Sequence, residues 1–324
     1  MAHLELLDLT KTFGPTTAVR ALSLIVNRGE ILSILGPSGC GKTTTLRMIA
    51  GLETPTSGEI HVNGKNVTSV PARSRNIGLV FQNYALFPHL DVFENVAFGL
   101  RTRRLKPEGV VGERVRKALA NVRMEAFERR AVHQLSGGQQ QRIALARALA
   151  VEPEFLLLDE PLSNLDPSLR EDLRDQIRSI VRHLNMTTIF VTHDQQEALS
   201  LADRIAIMDS GVCRQIGTPD EVYSRPADSF VARFLGKANV LAGEFFGLGG
   251  GELAVVRPEN IKLGEGTRNA TVAKVTFEGA IVNYVLEASG QQLSVRSFHG
   301  NRIYDVGEQV RFDIPPHGIH RIAK

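Results

Sequence analysis

Between Gly36 and Thr43 the chain reads "GPSGCGKT", with glycines spaced around a short loop and an amine and a hydroxyl directly after it. Such glycines let backbone N–H groups come close to an anion. Lys42 adds a cation of long reach, and Thr43 adds a hydroxyl that suits a hard metal ion. The set fits the β- and γ-phosphates of a nucleotide with Mg²⁺. An apolar run, Ile31–Leu35, precedes the loop, and a helical pattern, Thr44–Ala50, follows it. A purely structural glycine turn has no need of Lys-Thr at its end.

A second stretch, "FLLLDEPLSNLD", delivers Asp159 to the end of an apolar strand. Ligands of open α/β sheets bind at that end. Asp159 suits Mg²⁺, and Glu160 suits orienting or deprotonating an attacking water. His193 closes "TTIFVTH" and Gln82 closes "IGLVFQ" in the same manner. His193 then reaches a γ-phosphate, or it is a histidine with a satisfied structural bond. Gln82 reaches Mg²⁺ or the lytic water, or it pairs with loop backbone. Phe13, in "KTFG", offers a face for stacking on a base or a piece of core. A further helix start, Ser136-Gly137-Gly138 in "LSGGQQQR", is a second anion site. Ser136 alone reads as an ordinary cap, whereas two glycines weaken a helix start unless something must come close.

The elements that must hold these residues are legible in outline. Short β-like runs alternate with helical patterns over about the first 235 residues, and near-continuous apolar strands such as Phe155–Leu158 belong inside a sheet covered on both faces. From about Asp91 to Ala150 the pattern is helical, an insertion opened by an Asp91/Glu94 capping box with Val92, Val96 and Leu100 on one face. Asp166-Pro167 reads as a cap and first helical residue, followed by a stripe of Leu169, Leu173, Ile177, Ile180 and Leu184. After about Lys237, short strand-like pieces alternate with Gly, Pro and Asn, the pattern of a small β-barrel. The expected domains are therefore 1–237 and 238–324, with the helical part at about 91–150.

A net charge of +3 is too weak to argue for nucleic acid, and none is expected as a partner. The basic cluster at Arg101–Arg130 is interrupted by acids and reads as a solvated face. Two distant cysteines, Cys40 and Cys213, suggest neither a disulfide framework nor a metal site. No apolar run reaches the ~18 residues of a membrane span, and the first residues lack a signal-peptide pattern, so the expected compartment is the cytosol.

In order and spacing, the cradle, Gln82, "LSGGQQQR", Asp159-Glu160, "SNLD" (Ser163–Asp166) and His193 resemble the ABC-type ATPases. The likeness covers about the first 235 residues. The part containing "VVRPENI" (Val255–Ile261) resembles the accessory domain of importer ATPases serving maltose, polyamines, ferric iron, sulfate and aminoethylphosphonate. Overall resemblance points to ferric iron, polyamine or phosphonate importers among these. What the likeness implies is an α/β P-loop NTPase fold with a helical insertion, plus a small all-β OB-like domain.

It further implies an ATPase using ATP and Mg²⁺. Gly36, Pro37, Ser38, Gly39, Cys40, Gly41, Lys42, Thr43 and Thr44 would hold the phosphates, and Phe13 would stack on adenine. Thr43, Gln82 and Asp159 would hold Mg²⁺, while Glu160, His193 and Gln82 would serve hydrolysis. Ser136, Gly137, Gly138 and Gln139 would face the nucleotide of a second copy in a head-to-tail homodimer, with Asp166 communicating between the sites.

Partners implied are two transmembrane permease subunits, contacted through about Gln82–Leu100, and indirectly an extracytoplasmic solute-binding protein. The place would be the cytoplasmic face of the inner membrane, peripherally. The stretch Tyr84, Leu86, Phe87 and Pro88 is unusually apolar for a surface loop, which favours a groove over plain burial. Where family members often carry proline before the signature, this chain has Val132. A soluble ABC ATPase of repair, chromosome or translation type is the alternative. It fits less well, because only about ninety residues separate Lys42 from Ser136, without sustained heptads.

Overall fold

The computed structural model describes residues 2–102, 107–163, 166–246 and 251–323. They form two compact units, Met1–Pro219 and Asp220–Lys324.

The first unit opens with two long antiparallel strands, β1 (Ala2–Phe13) and β2 (Thr16–Asn27), joined by a turn with Gly14 at positive φ. Next come β3 (Ile31–Leu35), α1 (Lys42–Ala50), β4 (Ser57–Val62), β5 (Lys65–Asn66) and β6 (Ile77–Val80). The helical part comprises α2 (Val92–Thr102), α3 (Glu108–Asn121) and α4 (Gly137–Ala150). Then follow β7 (Phe155–Asp159), α5 (Pro167–His183), β8 (Thr187–Thr192), α6 (Gln195–Leu201), β9 (Arg204–Asp209) and β10 (Val212–Gly217).

Two sheets result. One has the order β2-β1-β4-β5; the other has β10-β9-β3-β8-β7-β6, parallel except for β10. Strands β3, β7 and β8 are buried at every position, as strands covered on both faces must be. The loops that leave their C-terminal ends carry Gly36, Glu160 and His193. The antiparallel sheet was not anticipated as such, although "HLELL" and "ALSLIVN" alternate with the period of a half-buried strand.

The helical insertion is where the sequence places it. Asp91 Oδ1 accepts the Glu94 backbone N–H at 2.8 Å, one half of the expected capping box, while the Glu94 carboxylate pairs with Arg101 instead. In α5 the apolar stripe runs Leu173, Ile177, Val181, so Val181 takes the buried place expected for Ile180. Asp166 occupies the N-cap backbone position with Pro167 next, but its side chain makes no capping bond. Leu169 lies outside the residues whose side chains are described.

The second unit begins with α7 (Pro219–Ser224) and α8 (Ser229–Phe234), followed by β11 (Asn239–Ala242) and β12 (Glu252–Val256). Then come β13 (Lys262–Glu278), β14 (Ile281–Ala288), β15 (Gln291–Phe298), β16 (Gln309–Asp313) and β17 (Ile319–Ala323). Its sheets are ordered β11-β12-β17 and β15-β14-β13-β16. The two helices go with this unit, against an expected boundary at Lys237, and Arg257 gives the reason. Its buried guanidinium donates to the carbonyls of Tyr223, Ala232 and Leu235 at 2.5–2.9 Å, satisfying the ends of both helices at once.

Candidate functional site

The cradle is built from backbone first. Gly41 caps α1 at φ +102, and a Cβ there would stand 2.2 Å from the Ala18 carbonyl on β2. At Gly36 a Cβ would meet the Met208 carbonyl at 2.3 Å. Both positions are closed to any side chain, because backbone from β2 and β9 lies against them. Gly39, at φ +80, faces open space. Its glycine serves conformation and access instead.

Around this loop lies a cavity of about 200 Å³ lined by Ala18, Ser38, Lys42, Thr43, Thr44 and Glu160 among others. Lys42 is buried, and its Nζ donates to the Gly36 and Pro37 carbonyls at 2.8 and 2.9 Å. The ammonium is thus held inside the loop by weak acceptors, which phosphate oxygens would readily replace.

Thr43 Oγ1 donates to Asp159 Oδ1 at 3.2 Å, joining the two oxygen ligands expected for Mg²⁺. A hydroxyl and a carboxylate fit a hard octahedral cation that takes its remaining ligands from phosphates and water. Among the described residues no cluster of three His, Cys, Asp or Glu could hold a metal by itself. Burial pushes the Asp159 carboxyl above the usual carboxylate range, Thr43 offsets part of this, and Glu160 adds repulsion.

Glu160 sits at φ +44, in the left-handed region, with its N–H bonded to the Val191 carbonyl at 3.0 Å. Such a backbone is strained for glutamate, and the β8 strand end holds it there. The carboxylate Oε2 meets His193 Nδ1 at 3.1 Å and accepts from Gln82 Nε2 at 3.4 Å. Gln82 Nε2 also reaches Ser163 Oγ at 3.3 Å, and Ser163 Oγ donates to the Glu160 carbonyl at 3.0 Å. Glu160, His193 and Gln82 therefore come together as one hydrogen-bonded group. The contact of Gln82 is with Glu160 and Ser163, whereas the expected metal-ligand role would need it at Thr43 and Asp159. Ser163 was read only as part of "SNLD"; its hydroxyl is what links Gln82 to the Glu160 turn. Asn164 and Leu165 lie outside the described residues.

The His193 turn is fixed from both sides. Thr192 Oγ1 accepts the Asp194 N–H at 2.9 Å and donates to buried Glu197 at 2.6 Å. Asp194 caps α6 through the N–H groups of Gln196 and Glu197. With its backbone held, the His193 ring remains half exposed.

The second helix start, at α4, differs. Ser136 accepts from the Gln139 N–H at 3.4 Å and Gln139 Oε1 accepts from the Ser136 N–H at 3.0 Å, a full capping box. A Cβ on Gly138 would stand 2.9 Å from Leu173 Cδ1, so packing against α5 already favours glycine there. Gly137 alone keeps the argument that an approaching ligand demands a bare backbone.

Phe13 is solvent-accessible at the β1–β2 hairpin tip, with Lys11 Nζ 4.8 Å from its ring centroid. It is not core. Its hairpin partner strand β2 carries Ala18, which lines the cradle cavity.

In the stretch after Gln82, Tyr84 is buried while Leu86 and Phe87 are half-buried, and the Phe87 ring packs on exposed Phe98 at 4.4 Å. Asn95, on the buried face of α2, holds this loop. Its amide accepts from Phe87 N–H at 2.8 Å and donates to the carbonyls of Phe87, Leu90 and Asp91. A polar residue among Val92, Val96 and Leu100 on the apolar stripe was the signal for it.

Comparison with known proteins bears on these features. Residues 19–163 match the ABC transporter family and residues 254–322 match the TOBE domain. The chain is 41% identical to the Fe(3+) ions import ATP-binding protein FbpC of Escherichia coli (strain K12), over 98% of this chain and 97% of that one. It is 47% identical to the spermidine/putrescine import ATP-binding protein PotA of Rubrobacter xylanophilus, over 88% and 83%. Among solved structures, the dimeric bacterial ABC transporter cassette MJ0796 in a post-hydrolysis state with ADP and Pi aligns at TM-score 0.58 and 32% identity, covering 67% of this chain and 98% of that one. CbiO1 of Clostridium perfringens, part of the ABC transporter complex cbiONQ, aligns at TM-score 0.64 and 31% identity, covering 72% and 93%.

Proposed function

The chain belongs to the ATP-binding subunits of ABC importers, an ATPase using ATP with Mg²⁺, and on that premise we propose how its residues divide the work. Lys42 leaves the Gly36 and Pro37 carbonyls for phosphate oxygens, and the loop N–H groups complete the cradle. Mg²⁺ held by Thr43 and Asp159 would neutralise charge developing on the phosphates. Glu160 orients and deprotonates the water, and His193 contacts the γ-phosphate. Gln82 exchanges Glu160 and Ser163 for the metal side of the site. Phe13 stacks on the base.

Two copies meet head to tail, each presenting Ser136, Gly137 and Gly138 to the other's nucleotide, with Asp166 near the junction. One observation carries this reading. The cradle end of α1 has no side-chain cap, and the α4 capping box engages the N–H groups of Ser136 and Gln139 but not those of Gly137 and Gly138 between them. A helix end of that kind offers its two remaining N–H groups to an anion brought by a second copy.

The pair then serves permease subunits at the cytoplasmic face of the inner membrane, docking through Gln82–Leu100, with a solute-binding protein outside. Among the described residues no helix is long and apolar enough to cross a membrane. The two named relatives import ferric ions and polyamines, unlike cargoes served by similar chains, so the solute is selected by the partners. The test is purification of Glu160→Gln with ATP from solubilised native membranes. Co-purification of a polytopic membrane protein is expected; a soluble dimer free of any membrane protein would favour the non-transport alternative.

A further inference from the structure

The loop after Gln82 is held at a second point, from the signature helix itself. Tyr84 and Ala85 stand one after the other at φ +61 and +46, left-handed backbone that neither residue favours. Arg147 on α4 grips this turn, donating from Nη1 to the Ala85 carbonyl at 2.6 Å and from Nη2 to the Tyr84 carbonyl at 2.8 Å. Its guanidinium also lies over the Phe87 ring, 5.6 Å from the centroid. Among the described residues no carboxylate pairs with Arg147, so a largely desolvated cation is held by two carbonyls and an aromatic face. Desolvation lowers its pKa. Tyr84 is buried with its hydroxyl unpartnered. Strain, a buried orphan hydroxyl and an unpaired cation all meet at one turn, which is more than anchoring a surface loop requires.

Arg147 lies eleven residues after the Ser136 cap, about three helical turns or about 16 Å along α4. Helix α4 is uninterrupted between them. We propose that Arg147 is a positioning residue that locks the Tyr84–Leu90 loop to α4, so that loop and signature end move as one body. The inference rests on the head-to-tail reading above and adds a specific link to it. A lysine cannot replace the fork, since a single ammonium does not span two consecutive carbonyls in the guanidinium plane.

Hydrogen exchange on Glu160→Gln protein, with and without ATP, tests this without any permease, with mass measured in parallel. In the parent, ATP should double the mass and slow the Tyr84–Leu90 amides at least threefold. With Arg147→Met added, ATP should still double the mass, but those amides should exchange at least tenfold faster and no longer respond to ATP. Arg147→Lys, which keeps the charge and guards against a fold defect, should lie between. A dimer whose loop responds to ATP equally in all three proteins overturns the proposal. A parent that never doubles its mass overturns the head-to-tail reading, and with it the link.

Discussion

The α1 and α4 helices begin in different ways, and on the proposed reading both ends receive nucleotide phosphate. At α1 the approach is closed to side chains by backbone, Gly41 against Ala18 and Gly36 against Met208, and no side chain caps the helix. The first-turn N–H groups beside the cavity are open to a ligand. At α4 the Ser136–Gln139 box takes up the N–H groups of those two residues and not the Gly137 and Gly138 N–H groups between them. The first site is preorganised and permanent, the second conditional. That difference is what an ATPase needs if one end binds nucleotide in each chain and the other engages only when two chains meet.

The strongest way to break the cradle chemistry while leaving its shape is Glu160→Gln. Hydrolysis should fall by about 10²–10⁴-fold, the usual worth of a general base, with ATP affinity retained. Steady-state turnover and nucleotide titration read the two separately. Equal loss of both would mean Glu160 holds the nucleotide rather than the water.

Glycine substitutions sharpen the contrast of the two ends. Gly41→Ala adds strain and a clash with backbone, costing about 3 kcal/mol or more and ATP binding with it. Gly138→Ala meets only the flexible end of Leu173 and should cost about 1 kcal/mol, with ATP binding by the single chain unaltered. Thermal melts and nucleotide titration of both variants decide it. Similar losses would show that α4 is as rigidly built as the cradle.

Asp159 gives a pH test. Its carboxyl pKa is raised in the folded chain, chiefly by burial, so the native state holds this proton more tightly than the unfolded state. Stability from this group is therefore full below the unfolded value, declines as pH rises through the raised folded value, and is constant above it. Asp159→Asn should remove that decline and melt higher than the parent at neutral pH without metal, while losing Mg²⁺-dependent ATP binding. A variant that melts lower throughout would contradict a carboxylate whose burial outweighs the Thr43 bond.

The smallest effect belongs to the conditional end. Ser136→Ala removes one exposed capping bond and should lower stability by about 0.5–1 kcal/mol, while weakening only the ATP-driven association of two chains. Cys40 lies in the cradle, so a thiol alkylator should inhibit the ATPase and ATP should protect. Burial raises its thiol pKa, so labelling should be slow at neutral pH and quicken as pH rises.

Legibility in the sequence followed locality. Cradle, acidic strand end and signature each lie in one short stretch, and the strands Ile31–Leu35 and Phe155–Asp159 announce themselves by continuous apolar residues. What escaped was set by contacts between distant stretches. Gly138, read as making room for a ligand, also lies where a Cβ would press on Leu173 of another helix. Arg257 gathers carbonyls from two helices more than twenty residues away, which is why Tyr223 and α8 go with the second unit. Asn95 and Arg147 converge on one loop from two helices. The Gln82 amide, read as facing the metal, the lytic water or loop backbone, contacts Glu160 and Ser163, on a stretch about eighty residues away.

The most direct test of the division between a permanent and a conditional half-site is the mass of the Glu160→Gln chain in solution with and without ATP. The account predicts one chain without nucleotide, two with ATP and Mg²⁺, and one again when Gly137→Asp places a carboxylate where the partner's phosphate must come. A Gly137→Asp protein that pairs as well as its parent would contradict it.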